Sequence, residues 1–522
     1  MKKILLIIAF MILGSRLFAA NSILSPEILY KYIDAFNKND EEIYKSFITN
    51  SEAKQFLSDN IPLFECPDKD LEKIYYFRWW TYRKHIKKTP EGFIITEFMP
   101  DVSWAGKYNG ISCPAMFHFC EGRWLYDHQY LDAYAHYWLK EGASVRTYTF
   151  PIAYSLYQYY LVTGDRTVMC NLYSELVKNF KLWEVERYDK TMGLFWQEDG
   201  QDGGEVSICG GRSNPAGYRV TINACMAAEA LALSKIAAIL HKSADSTFYS
   251  KCSEEIKTNM YRILWDKNSS FFKVLSKKYP TALCSVRELH GYTPWCYNMA
   301  SQEFSSAWQF LMNADYFYAP YGLTTAEQCS PDFTISYEGH ECQWNGPSWP
   351  FATSITLIGL ANELNDDLTQ QYVTKNDFYN LLLQFANSHR LTKDDGSIVP
   401  WIDENLNPYT GDWIARTLLK SRGTNLRERG KDYNHSTFCD LVITGLIGLR
   451  PQDNNQIIVN PLIPEKAWDY FCLENVHYRG RKITILYDRK GTKYNKGIGL
   501  MIFADGKKIA SNPELGLIRS AL

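Results

Sequence analysis

No CxxC pair and no HExxH run occurs in the 522 residues, so the usual spacings of a structural zinc site and of a zinc hydrolase are missing. His340-Glu341-Cys342 is the one local trio of ligand types, and it has no second cluster to complete a metal site. No block of basic residues occurs either, and 56 Lys and Arg stand against 58 Asp and Glu, a formal charge of −2. Nucleic acid and anionic membrane are poor partners for such a chain. Strand-like alternation is almost missing for nearly 400 residues, which leaves helices to build the main body. No repeat of fixed period appears, and an ordinary solenoid, the plain alternative, does not usually carry long Gly, Trp and carboxylate loops after alternate helices. The 13 Cys are odd in number and irregularly spaced, and most, such as Cys225 and Cys439, fall inside apolar helical patterns where a buried thiol is the default. Cys113 and Cys120 are candidates to pair.

What is present is aromatic. Phe, Trp and Tyr make up 15% of the chain, with 36 Tyr and 15 Trp, which suits a core and also the flat surfaces on which sugar C–H groups lie. MKKILLIIAFMILGSRLFAA has a basic start, an apolar run from Ile4 to Leu13 and small residues at Ala19 and Ala20, the design of a secretory signal. That run is shorter than the roughly 20 residues that span a bilayer, no Cys follows the cleavage region, and no later stretch reads as a span. The expectation is a soluble protein exported to the periplasm of a Gram-negative bacterium, with residues 1–20 removed.

Residues 21–70 read as a polar helical lead-in. From Leu71, LEKIYYFRWWTYRKHI opens an aromatic-rich domain of paired helices that continues to about residue 450. Glu121–Gly142 carries Leu125, Tyr130, Leu131, Tyr134 and Trp138 at helical spacing, and Gly217–Leu240 is apolar nearly all round, the mark of a helix packed on two sides. Near Arg450 the period changes to alternation punctuated by Gly and Asp-Gly, so 451–522 is predicted to be a small antiparallel β domain.

Long loops rich in acids and Trp separate the helices. LFWQEDGQDGGE (194–205) sets Glu198, Asp199, Asp202 and Glu205 between aromatics and glycines. EGHECQWNGPSWPFATS (338–354) and IVPWIDENLNPYTGDW (398–413) follow far along the chain. Such loops between helices suggest a sugar-cleaving enzyme, since glycoside hydrolysis needs one protonated carboxyl and one carboxylate on opposite sides of the sugar.

The runs GQDGGE, QWNGPSWPFATS and WIDENLNPYTG, in this order, resemble the acid, Trp-x-Gly-Pro-x-Trp-Pro and base loops of the glycosidases of glycoside hydrolase family 63 and the related mannosylglycerate hydrolase group. The resemblance covers about residues 75–449 and implies an (α/α)6 barrel. It places the general acid at Asp202 and the general base at Glu404, and it implies an anomer-inverting reaction on an α-linked glucoside or mannoside, with carboxyls roughly 6.5–9.5 Å apart. Trp344 and Trp349 fall where relatives line the sugar pocket, and Gln343 and Asn345 beside them are expected to reach the sugar's hydroxyls. Trp196, Arg123 and Asp127 are further candidate contacts, with Trp124 beside Arg123. The loop QEDGQDGGE departs from the family pattern, which makes Asp199 a rival for the acid. Asp403 is the neighbour that competes with Glu404.

Other readings remain open at this level. Trp344 and Trp349 also suit barrel packing, His435 a place beside a helix cap, and Arg219 either the acid loop or a pairing with Glu205. A sugar-binding relative without chemistry and, through Tyr433 and His435, a polysaccharide lyase are the alternatives to a glycosidase. No cofactor is implied. The expected partner is an oligosaccharide or glycoside, and the closed character of the loops points to an exo-acting pocket.

Overall fold

Helix Lys69–Lys84 illustrates how the sequence sets its own boundaries. Asp68 caps it by accepting the backbone N–H groups of Asp70 and Leu71, acids occupy its first turn, and Arg83 and Lys84 its last. Pro350 starts Pro350–Asp366, and Thr374 with Asp377 forms a capping box before Lys375–Ser388. The structure, a computed structural model, describes residues 22–210, 215–367, 369–423 and 428–522. The expected signal segment 1–20 lies outside the described residues.

Among these residues six outer segments alternate with six inner ones. The outer members are Lys69–Lys84, Gln129–Lys140, Tyr173–Arg187, Ser243–Leu264, the 3-10 stretch Gln302–Phe310 and Lys375–Ser388. The inner members are Ala115–Gly122, Ile152–Thr163, Val220–Ile239, Thr293–Cys296, Pro350–Asp366 and the π-helical turn Leu441–Leu446. Each inner member packs on the next. The ring closes where the buried Glu121 carboxylate accepts the N–H groups of Phe438, Cys439 and Asp440. The outer layer closes where Lys375–Ser388 packs on Lys69–Lys84. This is the (α/α)6 barrel that the motifs implied.

Three expectations change. The helix read over Glu121–Gly142 is broken at residues 123–128, because Arg123 and Trp124 turn inward to share Asp440, at 2.7 and 2.6 Å. Val220–Ile239 does meet the length and apolarity of a membrane span, and 78% of its most apolar window is buried inside the barrel. Cys113 and Cys120 are free, whereas Cys209 and Cys284 form a disulfide.

The C-terminal segment forms an antiparallel sheet of Tyr470–Tyr478, Arg481–Asp488, Gly499–Ala504 and Lys507–Asn512. Its outer edge is supplied by Leu63–Glu65 from the lead-in. Glu474 of this sheet also accepts the N–H groups of Ile23 and Leu24. The lead-in is thus stitched to the far end of the chain. A second small sheet joins Leu449–Arg450, Gln456–Val459 and Ile518–Ala521.

Candidate active site

The connections from each outer helix to the next inner one all emerge at the same end of a barrel of alternating helices. Five of them meet there around a cavity of about 290 Å³. The connection before Ala115–Gly122 brings Glu97, Phe98, Trp104 and Cys113, and the next brings Tyr148. Gly203 and Glu205 precede Val220–Ile239, and His340, Glu341, Cys342, Trp344 and Trp349 precede Pro350–Asp366. Glu404, Arg429, Tyr433 and His435 precede the last inner turn.

Glu404 is fixed on both oxygens. One accepts two N–H groups of Arg429, from Nε at 2.9 Å and from Nη2, and the other accepts the Cys342 thiol at 3.3 Å. Arg429 Nη1 holds Glu341 at 3.0 Å. Burial alone would raise Glu341, but Arg429 and Arg422 hold it down to about 2. Asp403 is turned away from the cavity and accepts the Glu404 backbone N–H at 2.9 Å. A Cβ at residue 430 would lie 2.0 Å from its carboxylate, so only glycine permits this approach.

Glu205 reaches the same cavity from the acid loop. Gly203, with φ 72°, turns the chain there, and Val206 follows with φ 59°, a left-handed conformation that a β-branched residue adopts only under constraint. Burial, then the nearby negative charges of Asp199 and Glu404, raise Glu205 to about 7. Glu97 is likewise raised by burial, then by Glu404 and Glu205, to about 8. Tyr433 donates its hydroxyl to Glu97 at 2.5 Å.

Of the expected site residues, Glu404, Trp344 and Trp349 line the cavity. The two indoles stack on each other at 4.4 Å and 9°, and His290 stacks on Trp344 at 5.0 Å. Trp344 therefore offers the cavity an edge, and its faces are taken by packing.

The structure places the others elsewhere. Asp202 stands behind the wall, where Thr149 donates at 2.7 Å, Thr221 also donates, and Arg219 Nε lies 3.2 Å away. Asp199 is fully buried against Arg219 at 2.6 Å and Ser207 at 2.9 Å. Arg219 thus pairs with both aspartates of the acid loop. Trp196 lies between Arg187 and Lys277. Gln343 closes its own turn through Glu338 and His340, and the backbone carbonyl of Asn345 accepts the Thr334 N–H, while its side chain does not line the cavity. Arg123 is committed to Asp440, and Asp127 accepts the Gln129 N–H at the start of Gln129–Lys140.

Sequence reasoning missed Glu97, Trp104 and Arg429 altogether, and it took Glu341 and Cys342 only as a doubtful metal trio. The stretch TEFMPDVSW, with its acids and aromatics, has the character of the three loops that were singled out. Arg429 carries no such signal.

A family model for the mannosylglycerate hydrolase MGH1-like glycoside hydrolase domain matches residues 107–436, and one for the C-terminal domain of glycosyl hydrolase family 65 matches residues 449–510. A solved structure described as a sialidase is 36% identical with a TM-score of 0.88; the match covers 95% of this chain and 45% of that one. The present chain therefore spans less than half of that protein's length. The α-L-rhamnosidase of Dictyoglumus thermophilum shares the fold, with a TM-score of 0.51 at 13% identity over 89% of this chain and 49% of its own. The GH63 mannosylglycerate hydrolase of Thermus thermophilus in complex with Tris gives 0.42 at 14% identity, over 68% of this chain and 89% of its own.

Proposed function

The chain belongs to the mannosylglycerate hydrolase MGH1-like glycoside hydrolase family, and we propose that it is an exo-acting, anomer-inverting α-glycosidase in which Glu404 is the general base and Glu205 the general acid. The observation that carries this reading is that these two carboxyls face one cavity in different electrostatic settings. Glu404 is ion-paired with Arg429, whereas Glu205 keeps its proton up to about pH 7. Divergent environments of this kind separate an acid from a base.

In the proposed reaction Glu205 protonates the glycosidic oxygen as its bond to the anomeric carbon breaks. Glu404 takes a proton from water, which attacks that carbon from the opposite face. The cavity is at the small end of ligand sites, which suits removal of a terminal sugar. Trp104, 45% exposed at the cavity, offers a flat surface to the leaving portion.

A second reading keeps Asp202 as the acid. It is supported by the chain order of the loop motifs, and it requires Asp202 to leave the contacts that hold it behind the wall. Export to the periplasm is part of the proposal and is supported by the Cys209–Cys284 disulfide, a feature of oxidising compartments.

The test is release of reducing sugar from a panel of α- and β-linked oligosaccharides. Hydrolysis of an α-linked substrate by the wild type and its loss in Glu404→Gln are the expected outcome. Equal hydrolysis by both proteins would contradict the assignment of the base.

A further inference from the structure

The mechanism uses two carboxyls, yet two more line the same cavity: Glu341, which is engaged by Arg429 and Arg422, and Glu97. Glu97 is 4% exposed and lies among the lining residues. It is held twice over, since its backbone carbonyl accepts the Asn434 N–H at 3.1 Å and its Oε1 accepts the Tyr433 hydroxyl at 2.5 Å. His435 Nε2 stands 3.5 Å from the same oxygen. Among the described residues Oε2 has no such partner, and it is not one of the fully buried atoms lacking one, which leaves it for the cavity.

We propose that Glu97 is a substrate-binding and specificity residue, whose free carboxyl oxygen takes the hydroxyl groups of an uncharged terminal sugar. This rests on the glycosidase reading and names the chemistry of the sugar that the site accepts.

A hydroxyl both donates and accepts, so it is best met by a group that does the same, and a carboxyl does so only while it carries its proton. Burial is the main cause favouring that form, and with the charges of Glu404 and Glu205 it outweighs the Tyr433 hydroxyl and Arg429, which favour the carboxylate. Glu404 and Glu205 repel its charge, Tyr433 and Cys113 are themselves kept protonated by burial, His435 is kept neutral by burial, and Arg429 is engaged by Glu404 and Glu341. Glu97 accordingly holds its proton up to about pH 8. The sign follows: sugar binding is strongest below that pH and weakens as pH rises through it.

The experiment measures direct binding of neutral monosaccharides (glucose, mannose, galactose, rhamnose), which have no glycosidic bond to cleave, with glucuronate as the charged control, by calorimetry across pH in the wild-type protein, where the Glu404 charge that helps keep Glu97 protonated is retained. Loss of a hydrogen-bonded contact of this kind corresponds to roughly a three- to tenfold weaker Kd. Glu97→Ala is expected to weaken binding of the preferred neutral sugar by that factor. Glu97→Gln, which is neutral and keeps an acceptor and a donor, should recover part of it and remove the loss of affinity at alkaline pH. In the active enzyme Glu97→Ala should raise KM more than it lowers kcat.

Unchanged affinity in Glu97→Ala, tighter binding of glucuronate than of every neutral sugar, or no binding of any neutral sugar would overturn the proposal. So would a collapse of kcat at constant KM in Glu97→Gln, which would make Glu97 the acid. Sugar binding that depends on Glu97 without hydrolysis of any glycoside would sustain this inference and defeat the glycosidase reading.

Discussion

Arg429 holds one oxygen of Glu404 with two N–H groups and uses its third nitrogen on Glu341, all within a guanidinium that is 3% exposed as a residue. Truncating it leaves a buried carboxylate without its partner. Arg429→Ala should lose about 3–5 kcal/mol of stability and at least about 100-fold in kcat, because Glu404 is no longer aimed. Arg429→Lys keeps a point charge without the fork and should fall between. Urea unfolding with parallel kinetics checks both, and an Arg429→Ala enzyme with wild-type kcat would remove Arg429 from the account.

The two candidate acids separate by experiment. Glu205→Gln should lower kcat by about 10²–10⁴, and a leaving group that needs no proton, such as a dinitrophenolate, should restore much of the loss. Asp202→Asn disturbs the contacts with Thr149, Thr221 and Arg219 and should cost mainly stability, about 1–3 kcal/mol. The reverse pattern would return the acid to Asp202.

The pH dependence follows from groups raised above their ordinary range. Glu205 acts as an acid only when protonated, so kcat should fall as pH rises through about 7, and a kcat that climbs across that range would exclude it. For stability, Glu205 and Asp403 near 7 and Glu97 near 8 retain protons that the unfolded chain has already released. Their contribution is whole below the unfolded carboxylate range and declines as pH rises through about 7 to 8. Thermal unfolding followed from acid to mildly alkaline pH should show that decline, and it should be smaller in Glu97→Gln.

Glu121 joins the first inner helix to the last inner turn by accepting three backbone N–H groups. Glu121→Ala would bury those donors unsatisfied, at a cost of at least about 3 kcal/mol. Denaturant midpoints measure it, and a loss below about 1 kcal/mol would mean that the ring is held elsewhere.

Paired helices were legible because apolar stripes at helical spacing and irregular acid-rich loops recur along the chain, and the barrel they form was implied by the resemblance of the loop motifs. The proposed base and the two indoles came from motif order, and Glu404, Trp344 and Trp349 do line the cavity. The remainder was hidden for two physical reasons. The run Asp199 to Glu205 offers three carboxyls within seven residues. Which of them faces the cavity is set by Gly203, Val206 and the buried Arg219, and no spacing rule describes that combination. Glu97 and Tyr433 are 336 residues apart and meet only because the ring closes. The β-rich character of 451–522 was readable from alternation, but the pairing of Leu63–Glu65 with Tyr470–Tyr478 was not.

The most direct measurement is a proton NMR time course of hydrolysis of the panel's best α-linked substrate, with Glu404→Gln and Glu205→Gln alongside. The account predicts that the first sugar released is the β anomer, before mutarotation, and that neither variant produces it at a comparable rate. Initial release of the α anomer, or full activity in either variant, would contradict an inverting pair made of Glu205 and Glu404.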